Sequence, residues 1–311
     1  MPQFAETKLE LPEGVHVFER GWLSSNNIFI DDGSVSWMID SGYCTHAAQT
    51  LELVESKLGL RSLDFLINTH LHSDHCGGNS KLQRKYDNLT TIIPPGQAES
   101  VQAWDPVKLF FTPTGQSCTR FEFSETLKFE FGMKIGEHEW QVFPAGGHDP
   151  HAVLFFEPIS RVIISGDALW QNGFGVVFPE LEGIDAFGDV ASTFDLIEQL
   201  DPDVVIPGHG SIFQYSPEIL SKARQKLNAF VDDPVKHARH ASKVLLKFKL
   251  LESQKLLFSD FEQWAKNTAC LQHCQTKFFG NLPFEIWLSQ LCNELVVSGV
   301  VKRDTSYITN C

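Results

Sequence analysis

Residues 67–78 read INTHLHSDHCGG. Four side chains able to bind a metal, His70, His72, Asp74 and His75, fall within six positions at the end of an apolar run. Imidazole and carboxylate together suit zinc, iron or manganese. On an extended segment His70 and His72 point the same way. Asp74 and His75 follow as the chain leaves the strand, so they can turn toward a neighbouring point. The spacing therefore allows one metal on His70 and His72 and a second on Asp74 and His75. Both sites need ligands from elsewhere in the chain.

Three later segments offer them. QVFPAGGHDP presents His148, RVIISGDALW presents Asp167, and DVVIPGHGS presents His209. Each is an apolar strand, then glycine, then one ligand-type residue, and glycine lets the backbone turn sharply beside the ligand. A lone histidine is more often a surface or hydrogen-bonded core group. That is the reading for His16, His46, His138, His237, His240 and His273. Cys270, His273 and Cys274 lack a second ligand pair, so they read as a helix with buried thiols.

The elements that must position these residues follow from periodicity. VHVFERG and NNIFIDDGSVSWMID read as strands, with Asp32-Gly33 as a hairpin turn signal. THAAQTLELVESKLGL has helical spacing and Gly59 to end it. LDFLIN and TTIIPP are short buried strands, whereas residues 97–127 read as a long loop or lid carrying Trp104, Phe110 and Phe111. Strands are expected at 127–131, 138–144, 151–157 and 161–166, then a helix near 189–200 and the strand DVVIPG. After residue 216 the patterns are mostly helical and end in a hairpin. The expected division is a catalytic domain over 1–220 and a helical, winged-helix-like domain over 221–311.

Composition narrows the class. The chain has 311 residues, 42% hydrophobic and 21% charged, enough for a large core without staples. No run approaches the roughly 20 apolar residues of a membrane helix. The first residues lack a basic segment followed by an apolar one, and the seven cysteines are scattered. These features predict a cytoplasmic protein with reduced thiols and no membrane partner. The net charge of −14 is uneven: residues 216–311 hold 13 Lys+Arg against 9 Asp+Glu, leaving 12 against 30 for the rest. An acidic body disfavours a polyanionic partner at long range.

The motif HLHSDHCGG resembles the HxHxDHxGG signature of the metallo-β-lactamase superfamily, and GGHD, SGDA and PGHG follow in that family's order. The resemblance covers about residues 13–215. It implies a four-layer αββα sandwich with the metals at one edge of the two sheets. It further implies that His70, His72 and His148 hold a first metal, that Asp74, His75 and His209 hold a second, and that Asp167 bridges them. Asp40 in MIDSG matches the family's first aspartate, expected to fix a ligand imidazole from behind. The expected cofactor is two divalent ions, zinc by default, with iron or manganese accepted by the same ligands.

A metal pair of this kind lowers the pKa of a bridging water, and the hydroxide attacks a carbonyl or phosphoryl centre. Asp74 could orient that hydroxide or carry a proton to the leaving group. Diiron electron-transfer relatives carry glutamate where this chain has His72. The full histidine set therefore favours hydrolysis, with a mononuclear iron sulfur dioxygenase as an alternative. Glyoxalase-II-like thioesterases read Gly-His-Thr-x-Gly-His where this chain has GGHDPHA, with Asp149 in the threonine position and His151 in that of the glycine. No basic cluster for glutathione carboxylates is evident. His151, Trp170, Phe174 and Phe178 are candidate pocket residues, and aromatic walls favour a small ester, thioester or lactone. The second function class is cleavage of single-stranded RNA. It rests on Lys236, Arg239, Lys243 and Lys247, which share one helical stripe. A homodimer through the C-terminal region is a further possibility.

Overall fold

The computed structural model describes residues 9–129 and 132–311. The first sheet contains β1 (Val15–Phe18), β2 (Asn27–Asp31), β3 (Ser36–Ile39), β4 (Phe65–Ile67), β5 (Thr90–Ile93) and β6 (Glu125–Thr126), hydrogen-bonded in that order. β1 to β3 run antiparallel, and β3 to β6 are parallel. Helices α1 (Ala47–Leu58), α2 (Ser73–Cys76), α3 (Asn79–Lys85), α4 (Ala98–Ala103) and α5 (Phe111–Thr114) fall between these strands. α1 ends at Gly59, whose φ of 61° requires the left-handed region glycine favours.

The second sheet contains β7 (Met133–Ile135), β8 (His138–Pro144), β9 (Val153–Glu157), β10 (Val162–Gly166), β11 (Val204–Pro207) and β12 (Phe213–Gln214). Its helices are α6 (Phe178–Glu182), α7 (Phe187–Leu200) and α8 (Pro217–Asp232). Alternation along each strand builds the layers. Ile28 and Ile30 of β2 face Trp140, Val142 and Phe155 of the other sheet, whereas Phe29 packs outward against Val54 and Leu58 of α1. Likewise Phe155 lies between the sheets, and its neighbours Leu154 and Phe156 meet α7 and α8. The result is the expected αββα sandwich. β3, β10 and β11 are buried along their whole length, as strands covered on both faces must be.

The rest of the chain forms α9 (Pro234–Ser253), β13 (Lys255–Leu257), α10 (Phe258–Asn267), α11 (Ala269–Phe279), α12 (Phe284–Val297), β14 (Val301–Arg303) and β15 (Tyr307–Asn310). The three strands pair in the order β13-β15-β14 beside the helices. Leu245, Leu271, Trp287 and Leu291 share one apolar core there. A division after residue 220 cuts α8, whose Leu220, Ala223, Leu227 and Phe230 pack beneath the second sheet. The chain changes core at Asp233, where the side chain caps α9 by accepting from the Lys236 amide.

Two local expectations change. Residues 97–127 are not one open loop. They carry α4 and α5, and Trp104 packs against Phe111 and Phe121 in a small core of its own. Of the strand expected at 127–131, residues 127–129 are not in a strand, and Glu125–Thr126 instead pairs in register with Ile92 and Ile93. Residues 130 and 131 lie outside the described residues, as does the N-terminal stretch 1–8. No helix among the described residues is long and apolar enough to cross a membrane.

Candidate metal centre

Every strand end singled out by the sequence arrives at the same edge of the sandwich. β4 delivers His70 and His72, and the single turn α2 carries Asp74 and His75. β8 leads to His148, β10 to Asp167 and β11 to His209. Among the described residues, ligand atoms of His70, His72 and His148 lie within 4.8 Å of one another. So do those of His70, His75 and Asp167, and those of Asp74, His75 and His209. His75 Nε2 is 3.4 Å from Asp167 Oδ1, and His148 Nε2 is 3.4 Å from Asp167 Oδ2. His209 Nε2 lies 3.2 Å from Asp74 Oδ2 and 3.9 Å from Asp167 Oδ1. Asp167 thus faces both groups of imidazoles.

Hydrogen bonds behind the rings decide which nitrogens face inward. Asp40 follows β3 with φ of 58°, a left-handed geometry an aspartate tolerates. Its carboxylate accepts from the Thr69 amide at 2.8 Å, the Thr69 hydroxyl at 2.7 Å and His75 Nδ1 at 2.7 Å. The Thr69 oxygen in turn accepts from His70 Nδ1 at 3.1 Å. His148 Nδ1 donates to the Val176 carbonyl at 2.5 Å. Each of these rings therefore keeps a proton on Nδ1 and turns Nε2 inward. His70 Nε2 and His75 Nε2 are buried and have no hydrogen-bond partner. His72 Nδ1 and His148 Nε2 approach to 2.7 Å. Converging ring nitrogens, two of them buried without a hydrogen-bond partner, fit a cation, and the nitrogen and oxygen donor set fits a divalent one.

Burial and charge divide the cluster, lowering two of its imidazoles and raising a third. Burial and the neighbouring His75, His72 and His148 push His70 well below the ordinary imidazole value. Burial and His148 bring His72 down to about 4. Burial would raise Asp167, but His209 and His75 outweigh it and hold the carboxyl well below its usual range. The same contest lowers Asp74 through its hydrogen bond with His209. Burial opposes a charge on His75, and Asp40 and Asp167 on its two sides overcome it.

Glycine is required at two points. A Cβ on Gly208 would overlap Asp167 Oδ1, and one on Gly175 would overlap the His148 ring. Three residues that the motif does not reveal complete the frame. Thr69 relays Asp40 to His70. Asn26 holds the loop around His209, with its amide donating to Gly208 O at 2.6 Å and its side chain to Gly210 O at 2.7 Å. Trp22 stacks on His209 with ring centroids 5.6 Å apart.

A cavity of about 510 Å3 opens over the cluster, and His72, Asp74, His148, Asp167 and His209 line its inner end. Phe178 sets its edge against His72 at 5.7 Å, and Trp170 meets His209 at 5.6 Å. Phe174 also lines the cavity, but most of its ring packs into the second-sheet core with Phe194. His151 does not line it. Its amide donates to Asp149 Oδ1 at 2.7 Å, and that turn sends the exposed ring against Gly96. Much of the remaining wall comes from α9, through His240, Lys243, Val244, Leu245, Lys247, Phe248 and Leu251. All but Leu245 recur at intervals of three and four residues, which is one helical face. The stripe expected to bind RNA is largely satisfied internally. Arg239 and Lys243 pair with Glu294 at 2.6 and 2.9 Å, and Lys247 donates to Val300 O at 2.7 Å.

Comparison with known proteins places this geometry. The sequence profile of the Metallo-beta-lactamase superfamily matches residues 20–209. The probable metallo-hydrolase YqjP of Bacillus subtilis (strain 168) is 28% identical over 241 residues, spanning 66% of this chain and 73% of that protein. Hydroxyacylglutathione hydrolases of Photobacterium profundum and Brucella ovis are 40% identical over 78 residues and 24% identical over 152 residues. Those matches span 24% and 49% of this chain, and only 29% and 47% of the relatives' own length. Among solved structures, the metallo-beta-lactamase family protein TTHA1429 of Thermus thermophilus superposes with a TM-score of 0.57 at 14% identity. It covers 97% of this chain and 99% of its own. The BLEG-1 B3 metallo-beta-lactamase gives 0.55 at 22% identity, covering 68% and 96%. At these identities the two structures speak for the fold alone. The strand-end cluster, the fold and the profile match over most of the chain agree: the chain belongs to the metallo-beta-lactamase superfamily and is a metal-dependent hydrolase.

Proposed function

We propose that the centre holds two divalent cations, zinc by preference, and that the enzyme hydrolyses a small ester or thioester with an apolar acyl group. His70, His72 and His148 would hold one ion and Asp74, His75 and His209 the other, with Asp167 between them. When bound, such a pair supplies Lewis acidity and a water acidified toward neutral pH. The chain's own residues do the rest. Asp40 and Thr69 keep the imidazole lone pairs aimed inward, and Asp74 is placed to carry a proton to the leaving group. Phe178 and Phe110, whose centroids are 5.4 Å apart, shield the inner end from water and offer an apolar surface. Thioesters are favoured within this class by the relatives named hydroxyacylglutathione hydrolase. The chain to Asp232 would form the catalytic unit, and residues from 233 onward a helical, winged-helix-like module that closes the cavity.

One observation carries this reading: a largely apolar cavity whose inner end is the histidine and aspartate cluster. Elemental analysis of purified protein, paired with a panel of thioesters, lactones, phosphodiesters and short RNAs, tests it. Two equivalents of metal and turnover confined to acyl compounds are expected. Cleavage of RNA that weakens steeply with salt would instead revive the nuclease reading.

A further inference from the structure

Lys226 of α8 also lines the cavity, and its surroundings differ from those of the other cationic side chains there. Lys243 is paired with Glu294 at 2.9 Å, and Lys247 is bound to Val300 O and Asn310. The half-buried Lys226 ammonium has no carboxylate partner among the described residues. It donates to the Phe174 carbonyl at 3.3 Å and lies 4.8 Å from the Phe174 ring and 5.7 Å from that of Phe230. An ammonium has three donors, so at least one stays unused. His240 beside it is kept uncharged, burial and Lys226 itself pushing it down to about 3. A protein of net charge −14 thus places in the wall of its cavity a cation that, among the described residues, has neither a carboxylate partner nor its donors filled. Withdrawing an ammonium from water without a counter-charge is costly, and a ligand that supplies one recovers that cost.

The position is also fitting. Lys226 is bound to the carbonyl of residue 174, and His148 to the carbonyl of residue 176. Two residues of chain span at most roughly 7 Å. One short loop therefore connects the cation to the metal centre.

Resting on the hydrolase reading above, we propose that Lys226 recognises a carboxylate on the substrate, remote from the bond that is cleaved. The substrate is then an acyl ester or thioester whose apolar chain runs between the cluster and Lys226 and ends in an anion. Neutral acyl compounds of the same length are poorer substrates.

The test uses the metal-loaded full chain. Mono-4-nitrophenyl esters of linear dicarboxylic acids with five to ten carbons are compared with 4-nitrophenyl esters of the matching monocarboxylic acids. Wild type should favour one length of the anionic series, chiefly through KM. Lys226→Met should reduce the anionic-to-neutral ratio of kcat/KM by roughly tenfold or more, the worth of one charge-assisted hydrogen bond. Lys226→Arg should restore part of it. An equal loss on both series would mean that Lys226 is only a strut between α8 and the loop, and would overturn the proposal.

A second arm separates this from failure of the hydrolase reading. Trp22 and Trp170 line the cavity, so their fluorescence reports occupancy in metal-free protein. Octanoate should bind at least tenfold tighter than octanamide, and Lys226→Met should erase the difference. If neither ester series is turned over but this difference holds, the anion site stands and the hydrolase reading falls. If octanoate and octanamide bind alike, or the difference survives in Lys226→Met, the anion site is refuted.

Discussion

Asp40→Asn removes a charge from behind the metal centre while keeping its shape. The buried carboxylate of Asp40 accepts three hydrogen bonds of 2.7 to 2.8 Å. An amide oxygen can keep the one from the Thr69 backbone. The amide nitrogen then confronts the Thr69 hydroxyl and His75 Nδ1, both of which donate in the native arrangement. His75 can satisfy it only by moving its proton to Nε2, the nitrogen needed for a cation. The loss is one charge-assisted hydrogen bond, about 1.5–3 kcal/mol. The corresponding fall in metal affinity is roughly 10–100-fold, the range seen when such supporting groups are removed. Competition with a chelating dye on the full chain measures it, and thermal melting checks the fold. The second ion, on Asp74, His75 and His209, should weaken most. Thr69→Val breaks the relay to His70 and removes one of Asp40's three hydrogen bonds but leaves the direct His75–Asp40 bond in place, so it should weaken the first ion more than the second. Unchanged affinity in Asp40→Asn would falsify the reasoning. So would equal loss of both ions in Thr69→Val.

Further outcomes follow from other contacts. Gly208→Ala forces Asp167 aside, and displacement of about 1 Å costs on the order of 100-fold in rate; activity and bound metal per chain report it, and a fully active alanine variant would contradict the packing. Metal bound only by the native state stabilises it by about 4 kcal/mol at 1,000 times Kd; chelator treatment should lower the melting temperature by several degrees, and readdition of zinc should restore it. Val244→Phe on α9 shortens the cavity. The ratio of kcat/KM for octanoyl to acetyl thioesters should fall by roughly tenfold, the loss of one or two buried methylenes at about 0.8 kcal/mol each, and an unchanged ratio would remove α9 from the substrate's path. Burial brings Lys226 down to about 8. His237 and His240 of α9 face the same site, and burial keeps them low, at about 4 and about 3. The cation is present below about pH 8 and lost above it, so octanoate binding to metal-free protein should weaken between pH 7 and 9 while octanamide binding stays flat.

The candidate ligands are legible because each announces itself locally, the later three as an apolar run, a glycine and one donor. His70 to His75 needed only six consecutive residues. The sandwich was legible for the same reason, since strand alternation and α1's ending at Gly59 are short-range facts. What escaped depends on contacts across the chain. Asn26 meets Pro207 and Gly210 from more than 180 residues away. Trp22 gives no sign in sequence that it will stack on His209. Trp104 looks like part of a lid in sequence, because an aromatic beside turn formers reads the same whether it closes over a site or packs inward. His151 sits beside a ligand in sequence yet points away, since the Asp149 turn reverses the chain. The basic stripe of α9 was visible, but its pairing with Glu294 was not, because that partner lies on α12.

α9 gives the cavity seven of its lining positions, yet it contributes none of the seven groups assigned to the cations. Reactivity and selectivity therefore reside on separable stretches of polypeptide. Mutations drifting along one helical face can retune what is accepted while the hydrolytic apparatus stays intact, which gives such a scaffold an inexpensive route to new substrates.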